Sequence, residues 1–399
     1  MKNRVELLAP AGDLFRGQIA LDYGADAIYF GGKQYSLRAR ASNFDYQQIK
    51  QMIDYAHSLN KKAYLVTNIL CHNIHLKNLV PFLKQVLSFK PDGFICADPI
   101  IIQTIKELDP RVEIHISTQQ SVTNSKAALF WKRNGAKRIV LARELNYQEL
   151  KALSNNINNQ IELEYFIHGA VCVAYSGRCM LSNNFCMRDA NIGGCAQSCR
   201  WRYSLSDQKQ QYASNFSMSA KDMNQMPNLK KLLALNIASF KIEGRMKKEH
   251  YIATVVQAYK NAINEYYQTK QIKHLKQWNQ ELAKVANREV HQAWFNGKPT
   301  SEYMLNTAIE KQVTQNYAFI IKKVINDYTW EILSKNYFEI NNNFEVIGQD
   351  HLPIKFKIKE IKDTDNNKLD IVNNPLKVLT IKINKKLTNI KVNDMVRIV

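Results

Sequence analysis

The fold is constrained most by a theme that repeats eight times in the first 245 residues, a short apolar run followed by an amphipathic stretch. Most runs are rich in β-branched or aromatic residues, which is typical of strands buried on both faces. The runs are Val5–Pro10, Ala27–Gly32, Lys62–Asn68, Gly93–Asp98, Glu113–Gln119, Arg138–Glu144, Glu162–Gly169 and Phe240–Arg245. Between them, Asp45–Leu59 and Leu76–Phe89 have helical periodicity. The pattern predicts an α/β fold.

Eight strands alternating with helices over about 250 residues are what a TIM-like (β/α)8 barrel requires. A doubly wound sheet is the competing arrangement. Polar residues recur where the predicted strands end, and a barrel gathers those ends on its active-site face. They are Asp13, Gly31, Gly32, Asn68, Asp98, Gln119, Glu144, His168, Glu243 and Arg245. We therefore predict a barrel over residues 1–300.

The regular spacing is interrupted after the seventh strand, where an insertion spans residues 170–238. This is far longer than a strand–helix connection requires, and long irregular insertions are often functional. The insertion begins with a segment rich in Cys, Gly and Arg. A hairpin is predicted at Tyr203–Met218 and a helix near Leu229–Leu235.

The residue pattern changes in the remainder of the chain. Helical patterns cover Glu249–Tyr267 and Ile272–Glu289, and a linker is predicted at 301–312. Short alternating runs separated by Asn-rich turns then predict a β-barrel-like antiparallel domain at 313–399. Its lysines could contact RNA, or they could form a solvated edge.

Four of the seven cysteines, Cys172, Cys179, Cys195 and Cys199, follow the spacing C-x6-C-x15-C-x3-C. Thiolates in sets of four bind iron–sulfur clusters or zinc. The wide spacing favours a [4Fe–4S] cluster over zinc, which usually uses C-x2-C pairs, and free or catalytic thiols are a third possibility. Cys186 is the additional cysteine in this segment, and Cys71 and Cys96 are predicted to be core residues.

Other residues near this segment are candidates for substrate binding and proton transfer. His168 follows an apolar strand, which suits either an acid/base at the barrel mouth or a core histidine. Glu243 is the other candidate for proton transfer, although a buried Glu–Arg pair is equally compatible with the pattern. Basic side chains that could hold an anion are Lys241, Arg245, Arg178, Arg188, Arg200 and Arg202.

The chain carries a formal net charge of +20, which favours a polyanionic partner such as nucleic acid. A general preference for lysine and asparagine would also give this charge. No run of eighteen apolar residues is present and the N-terminus lacks the pattern of a signal peptide. We therefore predict a cytoplasmic protein without a membrane span.

The sequence resembles the collagenase-like peptidase family catalogued as U32. The resemblance lies in ELLAPAGD and GADAIYFGG, in EYFIHGAVCVAYSGRCMLSN and RDANIGGCAQSCRWRY, and in SFKIEGRMKKEHYIATVVQAY. The members that are most similar in these motifs are tRNA hydroxylation proteins. The resemblance implies formation of 5-hydroxyuridine at the wobble position, a [4Fe–4S] cluster and prephenate as cosubstrate. Other relatives hydroxylate ribosomal RNA.

The resemblance also implies the cluster ligands. Cys172, Cys179 and Cys195 fall on family ligand positions. Relatives often carry a fourth cysteine just after the segment that matches SAKD, where this chain has Met223, so Cys199 takes the fourth place.

Two other functions stay open. The family name implies a peptidase, although no G-x-S-x-G or H-E-x-x-H motif is present. A zinc-stabilised RNA-binding protein without catalysis is the second. Relatives also make a homo- or hetero-oligomer possible.

Overall fold

The structure, a computed structural model, describes residues 4–38, 42–207, 210–304, 317–348 and 351–399. Eight parallel strands form a closed barrel. They are β1 (Glu6–Pro10), β2 (Ala27–Gly31), β3 (Lys62–Thr67), β4 (Gly93–Cys96), β5 (Glu113–Ile116), β6 (Arg138–Val140), β7 (Glu162–Gly169) and β8 (Ser239–Ile242). Each strand pairs with the next, and β8 also pairs with β1, which closes the ring. The predicted barrel is confirmed.

Helices follow the strands and cover the barrel. They are α1 (Leu14–Asp22), α2 (Tyr46–Ser58), α3 (Leu79–Leu87), α4 (Pro99–Leu108), α5 (Ser125–Arg133), α6 (Tyr147–Ile157), α7 (Leu229–Ala234) and α8 (Glu249–Thr269), with α9 (Leu275–Val285) beyond them. Asp13 and Asp98, two of the predicted strand-end residues, are N-caps that accept from the amides of Arg16 and Ile100 at 2.8 and 2.9 Å. Their position is explained by helix capping.

Charged side chains lie inside the barrel. Glu164 accepts from Lys241 at 2.7 Å and lies 3.2 Å from Arg138, which also contacts Glu6 at 2.6 Å. Lys241, Arg138 and Glu164 are buried. This network ties together β1, β6, β7 and β8, because buried charges are stable only when they are paired and hydrogen-bonded.

The insertion between β7 and α7 packs over the carboxyl ends of the strands. It contains a short helix (Leu181–Cys186), a hairpin (Tyr203–Ser206 with Gln211–Phe216), and a strand (Asp222–Asn224) antiparallel to the end of β7. Gly177 has a φ of +74°, and a Cβ there would lie 2.1 Å from the carbonyl oxygen of Gln119. Only glycine permits this contact between the insertion and the loop after β5.

The C-terminal region is antiparallel and β-rich, as predicted. Its seven-stranded sheet contains β9 (Tyr317–Asn326), β10 (Thr329–Ser334), β11 (Phe344–Ile347), β12 (Ile354–Phe356), β13 (Ile358–Lys362), β14 (Val378–Ile383) and β15 (Met395–Ile398). Phe338–Glu339 and Ile371–Val372 form a separate pair. Of the predicted linker, Ser301–Tyr303 form a 3₁₀ turn, and residues 305–312 lie outside the described residues.

The β-rich region packs against the helices of the barrel. The ring of His250 in α8 stacks on Tyr317 with centroids 5.1 Å apart, and the Tyr23 hydroxyl donates to the Ile347 carbonyl at 3.0 Å. Arg397 is fully buried between Glu281 of α9 and Glu345 of β11. Within the described ranges, no helix has the length and apolar character needed to cross a membrane.

Candidate active site

A cavity of about 190 Å³ lies at the carboxyl ends of the barrel strands, against the insertion. Five of the predicted strand-end residues line it, namely Asn68, Gln119, Glu144, Glu243 and Arg245. The insertion contributes the opposite wall with residues between Val171 and Cys199. The cavity therefore occupies the position where barrel enzymes carry their active sites.

Four thiols line this cavity. Cys172, Cys179, Cys195 and Cys199 all line it, although they span 28 positions of an irregular segment. Met223, the position where the resemblance implied a fourth ligand in relatives, is buried in a strand and packs in the hydrophobic core. The structure thus places Cys199 with the other three thiols.

The remaining cysteines lie apart from this cavity. The Cys186 thiol is 3.7 Å from the hydroxyl of Ser198. Cys96 is fully buried and 3.2 Å from the hydroxyl of Thr67, and burial raises the pKa of its thiol to about 12. Cys71 packs against the same core.

The donor set at the cavity suits an iron–sulfur cluster in number and kind, since cysteine thiolates hold such clusters in sets of four. Burial, followed by the charge of the Cys172 thiol, raises the pKa of Cys199 to about 11. Across the described ranges, however, no group of three or more His, Cys, Asp or Glu side chains is arranged to hold a metal ion. The four thiols would have to approach one another to complete a site.

The barrel side of the cavity is rich in positive charge. Glu243 accepts from Arg38 at 2.8 Å and lies 3.8 Å from Arg143. Burial raises the pKa of Glu243, but the charges of Arg38 and Arg143 outweigh burial, so the pKa is lowered. Glu243 is therefore a carboxylate at neutral pH, and its arrangement matches the buried Glu–Arg pair considered from the sequence.

Two further cations border the same space. Arg245 donates to Ser36 at 2.9 Å and to Asn43 at 2.7 Å, and Lys241 lies 4.3 Å from the ring centre of Tyr29. The Nε atoms of Arg143 and Arg245 are buried and have no hydrogen-bond partner in the described part of the chain. Two unused donors beside an open cavity suit a small anion, because arginine binds carboxylate and phosphate groups well.

His168 lies away from the cavity. It is buried, with Nδ1 3.3 Å from the hydroxyl of Tyr259 in α8 and its ring 5.9 Å from that of Tyr251. Burial and the charge of Lys247 lower the pKa of His168 to about 3. A neutral histidine in this packing does not reach the thiols or the arginines.

The arginines of the insertion do not line the cavity either. Arg178, Arg188 and Arg202 are exposed, and Arg200 is partly buried, with a hydrogen bond to Gln197 at 3.1 Å. The predicted anion-binding set is thus divided. Lys241 and Arg245 reach the cavity, while the four arginines of the insertion lie outside it.

Arg38 and Arg143 are the site residues that sequence reasoning missed. Arg143 follows β6 and donates to the Ala170 carbonyl at 2.6 Å, with its guanidinium 3.9 Å from the ring centre of Phe166. Arg143 directly precedes Glu144, which was identified as a strand-end residue, so position could have revealed it. Arg38 lies in the loop after β2, where neither spacing nor periodicity marks it.

These features define a (β/α)8-barrel protein with a cysteine-rich insertion over an arginine-lined cavity. Residues 12–305 match the family described as Peptidase family U32, and residues 314–397 match the Peptidase family U32 C-terminal domain. The chain therefore belongs to peptidase family U32, as the motifs predicted.

Relatives of this chain carry different names. It is 40% identical to tRNA hydroxylation protein P1 of Bacillus subtilis (strain 168), over 96% of this chain and 92% of that protein. It is 36% identical to the 23S rRNA 5-hydroxycytidine C2501 synthase of Escherichia coli (strain K12), over 66% of this chain and 40% of that protein. It is 30% identical to a collagenase of Porphyromonas gingivalis (strain ATCC BAA-308 / W83), covering 75% of this chain and 76% of that protein.

Proposed function

We propose that this chain is an RNA-modifying enzyme that hydroxylates the wobble uridine of tRNA at carbon 5, with a [4Fe–4S] cluster and prephenate as cosubstrate. The names of the relatives support RNA hydroxylation. The cluster and the cosubstrate are supported by the side chains that line the cavity. The observation that carries the proposal is that four thiols and four cationic side chains line one space at the active-site end of a barrel.

Cys172, Cys179, Cys195 and Cys199 would hold the cluster, which supplies iron able to exchange electrons. The cations on the opposite wall would hold the acidic cosubstrate. Arg143 and Arg245 have unused donors, and Arg38 is the most exposed of the arginines that line the cavity. An anion that displaces Glu243 from Arg38 would find a bidentate partner already oriented toward the cavity.

Glu243 acts in this scheme as a counter-ion. Its lowered pKa keeps it from serving as a proton donor at neutral pH. It instead keeps Arg38 and Arg143 in place before the cosubstrate arrives. We assign no proton transfer to His168, since Tyr251 and Tyr259 surround it on the helix side of β7.

The test replaces one proposed ligand at a time. Cys179→Ser is expected to abolish iron and sulfide binding after anaerobic purification, and to abolish 5-hydroxyuridine in tRNA when it complements a deletion strain. Cys186→Ser is the matched control, because Cys186 lies in the same segment but outside the cavity. Nucleosides are measured by mass spectrometry. Unchanged 5-hydroxyuridine in the deletion strain, with no paralogue present, would falsify the proposal.

A peptidase is the alternative that the name of the collagenase relative favours. It predicts gelatin cleavage that survives Cys179→Ser, whereas the hydroxylase predicts none. Hydroxylation of another RNA is the second alternative, which the named rRNA relative favours. Nucleoside analysis of rRNA from the same deletion strain separates it from the tRNA proposal.

The proposed partner is tRNA, and the proposed location is the cytoplasm. A formal net charge of +20 attracts the phosphate backbone and speeds association. This contribution falls steeply with salt, so binding of tRNA should weaken as salt rises.

A further inference from the structure

A second cavity of about 420 Å³ adjoins the thiol-lined one. Glu144, Cys172, Val173 and Tyr175 border both spaces, so the two cavities share a wall that includes the exposed Cys172. The remaining wall comes from the segment that follows α9 and includes Trp294, Tyr303 and Met304. We call this space the Tyr175–Trp294 groove.

The groove combines aromatic surface with an unused polar atom. Tyr175 is 45% exposed, and Trp294 packs as a partly buried side chain against the core of the barrel mouth. Tyr303 is only 5% exposed, and its hydroxyl has no hydrogen-bond partner within the described ranges. A buried hydroxyl without a partner costs free energy, which a ligand that bonds to it would recover.

The segment that carries Trp294 and Tyr303 is fixed to the insertion. The amide of Lys221 donates to the Tyr303 carbonyl at 2.9 Å, and Met304 forms a β-bridge with Ala220. The groove is therefore held open between two connected walls. Pre-formed concave sites with a few placed polar groups are typical of ligand binding.

An exposed cation follows Tyr175 in the chain. The amide of Arg178 donates to the Tyr175 carbonyl at 2.9 Å, so the Arg178 backbone lies one turn after that of Tyr175. Its side chain is exposed and forms no ion pair with a described carboxylate. An arginine beside an exposed aromatic ring is a common arrangement for binding a phosphate next to a stacked base.

We propose that the Tyr175–Trp294 groove receives a single pyrimidine base turned out of an RNA loop, and that it holds the base beside Cys172. The inference rests on the proposed function, because it names the place where the RNA target would bind. Enzymes that modify a base must remove it from its stack and hold it by aromatic contacts and edge hydrogen bonds. The rings of Tyr175 and Trp294 supply the aromatic contacts. The hydroxyl of Tyr303 supplies a hydrogen bond to the edge of the base, and Arg178 binds the adjacent phosphate.

The test uses an RNA stem-loop with the sequence of the tRNA anticodon arm and a fluorescent pyrimidine analogue at the wobble position. Wild-type protein is expected to change the fluorescence, because the base leaves the stack of the loop and enters the groove. Tyr175→Ala with Trp294→Ala should abolish this change and weaken binding about tenfold or more. Tyr303→Phe should weaken binding by about fivefold to tenfold, since it removes one hydrogen bond and keeps the ring.

Tyr328→Ala is the matched control, because Tyr328 is 44% exposed on the β-rich region far from the groove in sequence. Iron content should be the same in all variants. If the double variant binds and unstacks the base like the wild type, the groove is not the site. If the wild type gives no fluorescence change while the deletion strain loses 5-hydroxyuridine, the inference fails and the proposed function stands. Unaltered tRNA in the deletion strain overturns the proposed function itself.

Discussion

Two clusters of charged side chains in this molecule differ in their balance of positive and negative charge. At the barrel mouth, Arg38, Arg143, Lys241 and Arg245 line a cavity with two carboxylates, Glu144 and Glu243. Between barrel and β-rich region, Arg397 and Lys284 meet Glu281 and Glu345, so two cations face two carboxylates. The first cluster has an excess of positive charge beside open space, and the second is balanced.

The difference in charge balance distinguishes a cluster that can bind a ligand from one that stabilises the folded chain. A balanced buried cluster leaves no charge for a ligand to neutralise, and it joins two parts of a chain. An unbalanced cluster is held in place at a cost, which a bound anion offsets. Substitutions in the two clusters should therefore affect different measurements, and three experiments test this from the largest expected effect to the smallest.

The largest effect is expected for Arg397→Met at the balanced cluster. The change leaves Glu281 and Glu345 buried with only Lys284 as partner, and breaking a buried pair costs about 3–5 kcal/mol in unfolding free energy. Chemical denaturation measures this loss, while hydroxylation per folded molecule should stay constant. The exposed Arg111, changed in the same way, is the control. A stable but inactive Arg397→Met protein would contradict the comparison.

A smaller effect in free energy, but a large one in activity, is expected for Arg38→Ala. Removing one arginine from the anion site should lower the rate of hydroxylation about tenfold to a hundredfold. Arg38 has a side chain that is 38% exposed, and Glu243 keeps Arg143 at 3.8 Å, so the denaturation midpoint should fall less than for Arg397→Met. Lys33→Ala, on the same loop with a 65% exposed side chain, is the control. Loss of stability without loss of the hydroxylation rate would show that Arg38 stabilises the fold and does not bind the cosubstrate.

The smallest effect at neutral pH concerns the balanced cluster, because this effect develops only as the pH falls. Burial, followed by the charges of Arg397 and Lys284, lowers the pKa of His250 to about 3. The folded state therefore binds fewer protons than the unfolded state between about pH 6.5 and pH 3. Stability is fully present above the unfolded pKa, and His250 lowers it by about 1.4 kcal/mol per pH unit as the pH falls.

His250→Phe removes this proton uptake and keeps a ring against Tyr317. Denaturation measured from pH 7 to pH 4 should give a shallower pH dependence than the wild type. His72→Phe, at a histidine whose side chain is 60% exposed, is the matched control. An unchanged slope for His250→Phe would show that His250 binds protons equally in the folded and unfolded states, which contradicts a lowered pKa.

Most of the fold could be predicted from the sequence, because strands buried on both faces and amphipathic helices have distinct patterns. Residue type and spacing grouped the four cysteines that line one cavity, while their role as cluster ligands stays a prediction. The direction of the Arg38 side chain could not be predicted, because a loop has no regular period that determines which way a side chain points. The direction of His168 was equally hidden. Glu164 and Phe166 point into the barrel, but the register of β7 with β8 shifts between Lys241 and Ile242, which breaks the alternation before His168.

The arginines of the insertion illustrate the same limit. Arg178 and Arg188 lie within a few positions of cavity-lining cysteines, yet both are exposed. Irregular segments turn side chains in directions that depend on turns such as the one at Gly177, whose left-handed φ is visible only in the structure. Residue type therefore suggests a chemistry for the segment, but it does not predict which of its side chains face the cavity.

The barrel and its contact with the β-rich region are both completed by segments that lie late in the sequence, which has a consequence for synthesis on the ribosome. The barrel cannot close until β8 has been made and pairs with β1, so the whole insertion must emerge first. The amide of Met395 then donates to the hydroxyl of Tyr23, across 372 positions. Contacts of such long range form slowly, and unpaired strand edges wait exposed in the meantime. A nascent chain of this protein should therefore depend on chaperones until its last strand has been released.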